Sequence, residues 1–172
     1  MSKTWLVLLG TVVGCAPNPL PTAPPSPAPA DDRPAETLRC DESIDAVDEL
    51  PPSFTSVLDV AALPAIAKDA AAQQVDMRED DVFSKLALLV RAGTELEVLV
   101  PAGSPVQLHW TNHGDPVARV IVPKCASAHA WVVFAGGVYA PAKGCWDLVV
   151  KQGGREAVVH AGIGAPCPGH RP

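Results

Sequence analysis

A chain of 172 residues with a formal net charge of −6 and 5% aromatic residues has the wrong composition for gripping phosphates of nucleic acid or anionic lipid headgroups, which need a cationic surface. The scarcity of rings also weighs against a carbohydrate platform, which stacks sugars on several exposed aromatics. The stretch from Cys40 to Pro172 is the size of one domain and long enough to bury a core.

The first residues, MSKTWLVLLGTVVGC, place one cation at Lys3 before a short apolar run that closes on Gly14. That is the layout of a secretory signal, and the run is far shorter than the ~20 residues a membrane-crossing helix needs. Its last four residues, VVGC, resemble the lipobox of bacterial lipoproteins: a hydrophobic residue, a small or branched one, Gly or Ala, and then the cysteine that is acylated. The resemblance implies that residues 1–14 are a signal peptide, that Cys15 receives a diacylglyceryl thioether, and that its freed amine is open to acylation by a chain such as palmitate. The implied partner is the membrane, reached through the lipid anchor, and the implied location is the cell envelope. Each acyl CH₂ in the bilayer contributes roughly 0.8 kcal/mol, so two or more chains hold a protein stably. Ala16 and Pro17 follow the cysteine, not the Asp that resembles an inner-membrane retention signal, which favours the outer membrane in a Gram-negative host.

Residues 15–39 read as the anchor and its tether. Between positions 16 and 35 there are eight prolines in twenty residues, a composition that favours extended polyproline II and a reach on the order of 60 Å at ~3.1 Å per residue. Residues 41–81 then carry eleven acids against Lys68 and Arg78. Exposed charge pairs contribute little, so this part reads as a solvated acidic strip.

Within the strip, LPAIAKDAAAQQVDM predicts one short helix: it is alanine-rich, Pro64 suits a first turn, and Leu63, Ile66, Ala70 and Val75 form a narrow apolar face. From position 85 onward the pattern changes. KLALLV, TELEVLV, PVQLHWTN, PVARVIVP, HAWVVFAG, CWDLVVK and REAVVHAG recur as short β-rich runs separated by turn signals. In VQLHW the alternation is clean, with Val106, Leu108 and Trp110 on one face and Gln107 and His109 on the other. NHGD reads as a turn, KQGGRE as a two-glycine hairpin, and Tyr139 in GGVYAP as a loop contact. Trp110, Trp131 and Trp146 fall within or at the start of strands, where a core role is expected.

WTNHGDPVARVIV and PAKGCWDLVV resemble segments of β-sandwich domains in bacterial surface lipoproteins, where a W-T-N-x-G turn joins two strands and G-C-W opens a late one. This implies a fold and no defined activity. The expected class is mainly β: an antiparallel immunoglobulin-like or cupredoxin-like sandwich over residues 40–172 with one short N-terminal helix.

Four cysteines, Cys40, Cys125, Cys145 and Cys167, lie in the domain. An even number in an exported chain implies two disulfides, for which three pairings exist. The preferred pairing joins Cys125 to Cys145 as a local loop and Cys40 to Cys167 across the domain's ends. No C-x-x-C pair suggests a metal–thiolate site.

The residues able to carry chemistry are sparse. His109, His113, His129, His160 and His170 are of the type that binds zinc or copper, and His109, His113 and His129 define the alternative reading, a periplasmic or surface metal-binding protein. Cupredoxins resemble one another in a loop holding Cys, His and often Met with an earlier His; Cys125 and His129 occur here but no Met follows, and Met77 lies upstream. A Cys125, His129 and Asp147 triad can be written, yet a disulfide at Cys125 abolishes the thiolate. There is no G-x-S-x-G or H-E-x-x-H, and Glu79, Asp80 and Asp81 lack the spacing of a calcium loop. The sequence therefore predicts no cofactor, no catalysis and no nucleic-acid partner. It predicts a non-catalytic binding or envelope-structural module whose partner is an envelope protein or surface ligand.

Overall fold

A computed structural model describes residues 33–64, 75–77, 82–111 and 114–168. They form fourteen strands: β1 (Ala35–Thr37), β2 (Asp45–Val47), β3 (Phe54–Val57), β4 (Ala61–Pro64), β5 (Val75–Met77), β6 (Val82–Lys85), β7 (Leu88–Arg91), β8 (Leu96–Leu99), β9 (Gln107–His109), β10 (Arg119–Val122), β11 (Trp131–Phe134), β12 (Gly137–Ala140), β13 (Gly144–Gln152) and β14 (Arg155–Ile163). The strands make three sheets. Sheet one runs β1-β10-β8-β13-β14, sheet two β2-β11-β7-β4-β3, and sheet three β5-β6-β12-β9. All pairings are antiparallel except β1 with β10. The domain is mainly β and built as a sandwich of antiparallel sheets, as expected.

Alternation explains how the sheets close on one another. In sheet one, Val98 of β8, Val120 and Val122 of β10, Leu148 and Val150 of β13, and Ala161 and Ile163 of β14 all enter the main core, while Glu97, Lys151 and His160 face out. In sheet three, Val82, Leu108, Val138 and Ala140 point into that core, and Phe83, Lys85, His109 and Tyr139 stand on the opposite face by the same period of two. VQLHW behaves as predicted: Val106, Leu108 and Trp110 are each 1% exposed or less.

Sheet two differs because both its faces are apolar. Ala61, Leu63, Leu88, Val90, Val132 and Phe134 enter the main core, whereas Ala62, Leu89, Trp131 and Val133 form a second cluster with Val47, Leu50 and Phe54 on the other side. A strand buried on both faces reads as an unbroken apolar run, which accounts for AAL, LLV and WVVF. Arg91 lies over the Trp131 ring, 4.7 Å from its centre, and its Nε donates to the Asp59 carbonyl at 2.8 Å. It thereby holds the turn between β3 and β4, where Leu58 and Asp59 both take positive φ, 54° and 62°.

Three expectations are corrected. The predicted short helix is absent from its described ends: Leu63 and Pro64 close β4, pairing with Thr55 and Phe54, and Val75 to Met77 form β5. Residues 65–74, including Ile66 and Ala70, lie outside the described part. Pro64 is tolerated because a strand end needs no further ladder donor. The one helical turn among the described residues is the 3₁₀ turn Cys40–Glu42. Among these residues no helix is long and apolar enough to cross a membrane.

The second correction concerns disulfides. Cys40 bonds Cys125 and Cys145 bonds Cys167, and the reason is topological. β1 and β2 flank Cys40 and pair with β10 and β11, which flank Cys125. The two chain segments therefore cross from sheet one to sheet two side by side, and the bond ties them at the crossing. The other bond follows from the hairpin: β14 runs back along the whole of β13, matching Ile163 to Gly144, so Cys167 returns to Cys145. The third correction is Tyr139, which belongs to β12 and not to a loop.

Candidate functional site

The outward face of sheet three brings Phe83, Lys85, His109 and Tyr139 together. In register, Tyr139 of β12 sits opposite Phe83 of β6 and Gln107 of β9, and Gly137 sits opposite Lys85 and His109. Phe83 and Tyr139 pack with ring centres 4.6 Å apart, and His109 meets Tyr139 edge-on at 6.0 Å, within the range where aromatic pairs interact favourably. The His109 Nδ1 is enclosed with no hydrogen-bond partner among the described residues.

Two glycines make this face possible. A side-chain carbon on Gly137 would run into the Ser84 carbonyl and the Phe83 ring, and one on Gly136 into the backbone of His109 and Trp110. Glycine at both positions lets β6, β9 and β12 approach and leaves a depression in the outward face.

That depression continues into a pocket of about 390 Å³ lined by Ile44, Phe83, Lys85, Ala87, Thr111, Ala135 and Gly136. Small-molecule sites occupy roughly 300–1,000 Å³ and combine apolar walls with few polar groups. Here the walls are Phe83, Ile44 and alanines, and the charged group is Lys85. Thr111 is 6% exposed and its hydroxyl donates to Glu36 Oε2 at 3.3 Å, which ties the pocket rim to β1. Ile44 is 61% exposed, unusual for so large an apolar side chain. The arrangement suits an apolar or aromatic body with an anionic group beside the Lys85 ammonium.

The sequence-predicted residues scatter. His129 precedes β11 and faces Asp48, Nδ1 to Oδ2 at 3.2 Å, whereas His109 stands in sheet three. His160 pairs across the hairpin with Asp147 at 2.6 Å. His113 and His170 lie outside the described residues, as do Cys15 and Glu79, Asp80 and Asp81. No group of three or more His, Cys, Asp or Glu able to hold a metal ion occurs among the described residues. The Cys125, His129 and Asp147 combination is not assembled: Cys125 is oxidised with Cys40, and Asp147 sits on β13 against His160. Trp110 and Trp131 are buried as expected, at 1% and 4% exposure. Trp146 is half-buried, with its indole N–H donating to the Ala142 carbonyl at 3.2 Å.

Sequence reasoning missed the Phe83, Lys85 and Gly136 combination. The available signal was VF, two β-prone residues leading through Ser84 into KLALLV, and the adjacent glycines before VYA.

Comparison with protein-family models, curated proteins and solved structures finds no match.

Proposed function

We propose that this protein is a lipid-anchored extracytoplasmic lipoprotein whose β-sandwich serves as a non-catalytic binding module. The observation that carries the reading is the coincidence of VVGC, a proline-rich tether, and a domain whose four cysteines are all oxidised. Stable disulfides belong to oxidising compartments, and the signal-like start supplies the route there. Disulfide bonding at Cys125 also removes the thiolate that a cysteine nucleophile requires.

Anchoring is tested by fractionating cells that express the wild type and Cys15→Ser. The wild type sediments with membranes and is released by detergent but not by high salt. Cys15→Ser loses the acyl attachment and moves to the soluble extracytoplasmic fraction, or accumulates unprocessed. Equal membrane retention and equal processing of both would defeat the lipoprotein reading.

Binding belongs to the outward face of sheet three, where an apolar pocket adjoins Lys85. Anilinonaphthalene sulfonate, an aromatic body bearing one anionic group, has the matching chemistry and reports its own binding by fluorescence. Titration is expected to give one saturable site per chain. Phe83→Ala and Lys85→Ala should each weaken it about tenfold, equivalent to about 1.4 kcal/mol. Unchanged dye affinity in both variants would remove this pocket as the binding site.

A further inference from the structure

We infer that the pocket beside Lys85 holds the C-terminal end of a polypeptide partner, with an apolar last side chain on its floor and the free carboxylate against the Lys85 ammonium. The inference rests on the pocket being the binding site and adds what kind of molecule fills it.

The first observation is a break in the sheet beside Ala135. β6 and β7 pair with β12 and β11 in one register, from Val82 opposite Ala140 to Arg91 opposite Trp131. Even-numbered residues are bonded across this ribbon: the Leu86 N–H donates to the Gly136 carbonyl at 2.9 Å and the Ala92 N–H to the Ala130 carbonyl at 3.0 Å. Antiparallel ladders alternate, so the odd-numbered residues of β11 and β12 turn their N–H and C=O to the other side. On that side the Val133 carbonyl accepts the Ile44 N–H at 2.9 Å, and Gly137 meets His109 of β9. Ala135 falls between the two neighbours. Pairing with β2 stops at Val133 and pairing with β9 starts at Gly137, and no backbone hydrogen bond of Ala135 occurs among the described residues. The pocket of about 390 Å³ occupies this gap, because Ile44 and Thr111 from its two banks both line it.

The second observation is the floor and its charge. By the period of two, Ala87 and Ala135 present only methyl groups to the outward face, and Gly137 beyond them presents none. Phe83 and Ile44 supply apolar walls. The floor therefore accepts one apolar side chain laid across the ribbon. Lys85, opposite Gly137, is exposed, and its ammonium makes no ion pair or hydrogen bond among the described residues.

These groups together select the ligand. A simple anionic amphiphile supplies an acceptor for Lys85 and for the Ala135 N–H, yet it brings no donor for the Ala135 carbonyl. A C-terminal residue supplies every part. Its amide N–H donates to the Ala135 carbonyl, one carboxylate oxygen accepts the Ala135 N–H, and the other oxygen faces Lys85. Its side chain then lies over Ala87 beside Phe83. Pairing with unpaired strand groups and capture of a terminal carboxylate are both recurring modes of peptide recognition, and here one residue makes both.

The test is a nuclear magnetic resonance titration of the isotope-labelled full chain carrying Cys15→Ser, which keeps acyl chains and detergent away from the pocket. The probe is the peptide acetyl-Ser-Gly-Ser-Ala-Leu with a free carboxylate. It should move the Ala135 amide proton downfield to saturation, as an N–H that gains an acceptor does. The same peptide amidated at its C-terminus, or N-methylated at its leucine, should bind about tenfold more weakly. In Lys85→Met, which keeps the apolar stem and drops the charge, free acid and amide should bind alike. An unmoved Ala135 amide would overturn the inference, as would an N-methylated peptide that binds as tightly as its parent or a preference for the free acid that survives Lys85→Met. Decanoate, an anionic amphiphile without peptide groups, would overturn it by binding there as tightly as the peptide. Failure of the pocket itself reads differently. Dye binding that Phe83→Ala weakens, beside an Ala135 amide unmoved by peptide, retains the pocket and removes the peptide, whereas no saturable site for either dye or peptide removes both.

Discussion

Trp110→Ala is expected to remove about 4–5 kcal/mol of stability and to lower the melting temperature by about 15 °C. Trp110 follows β9, is 1% exposed, and belongs to the main core. Deleting a buried indole leaves a cavity that the surrounding sheets fill only partly, a loss of roughly 3–5 kcal/mol. The polar end adds to it. The indole N–H donates to the Leu86 carbonyl at 2.6 Å in a buried bond, and an acceptor left unpaired in the core costs about 1–3 kcal/mol. Neither effect is relieved by local movement, since the backbone of His109 and Trp110 passes directly against Gly136. Trp110→Phe keeps most of the apolar area and loses the bond, so it should cost about half as much. Urea unfolding under non-reducing conditions, followed by circular dichroism, measures both. A Trp110→Ala loss below about 1 kcal/mol would mean that the indole does not bridge sheet three to the β6–β7 connection.

The second large effect belongs to the Cys40–Cys125 bond. It closes a loop of sequence separation 85, against 22 for Cys145–Cys167. In the chain-entropy account a cross-link stabilises by restricting the unfolded chain, and the restriction grows with loop length. That account gives about 4–5 kcal/mol for the longer loop and about 3–4 kcal/mol for the shorter. Position widens the gap. Cys40–Cys125 sits where β1 and β10 pass into β2 and β11, so its loss also frees two three-residue edge strands that have few contacts of their own. The Cys145–Cys167 bond only fastens the open end of a hairpin already paired along nine residues of each strand. The double variant Cys40→Ala with Cys125→Ala should therefore melt lower than Cys145→Ala with Cys167→Ala. Equal melting temperatures would show that the crossing is held by packing, with the disulfide adding nothing specific.

The C-terminal strands were legible because they alternate or run apolar over enough residues to mark a face. All seven runs from KLALLV to REAVVHAG contain a strand. The N-terminal half was opaque for a physical reason. AET, DAV and FTSV are too short to show a period and are set by the strands they dock against, which are remote in sequence. The β3–β4 turn uses Leu58 and Asp59 in the left-handed region without the Asn-Gly or Asp-Gly that marks such turns, and Arg91 from β7 compensates. The alanine-rich stretch suggested a helix by propensity, a weak prior that sheet pairing overrides at Leu63 and Pro64. Disulfide partners depended on which strands lie side by side, information that spacing between cysteines does not contain.

The site was less legible than the fold. Histidines draw attention in a sequence, yet among the described residues His129 pairs with Asp48 and His160 with Asp147 at exposed positions, and such pairs contribute little to stability. The face that combines an aromatic cluster, a cation and a pocket is assembled from β6, β9 and β12, which only the sheet order brings together.

Intact-mass spectrometry of the protein extracted from membranes decides whether the domain is lipid-anchored and fully oxidised. The expected mass is that of a chain that begins at Cys15, carries a diacylglyceryl group, and lies four hydrogens below the mass of its domain thiols. A chain that keeps residues 1–14, an unmodified Cys15 or free thiols in the domain would contradict it.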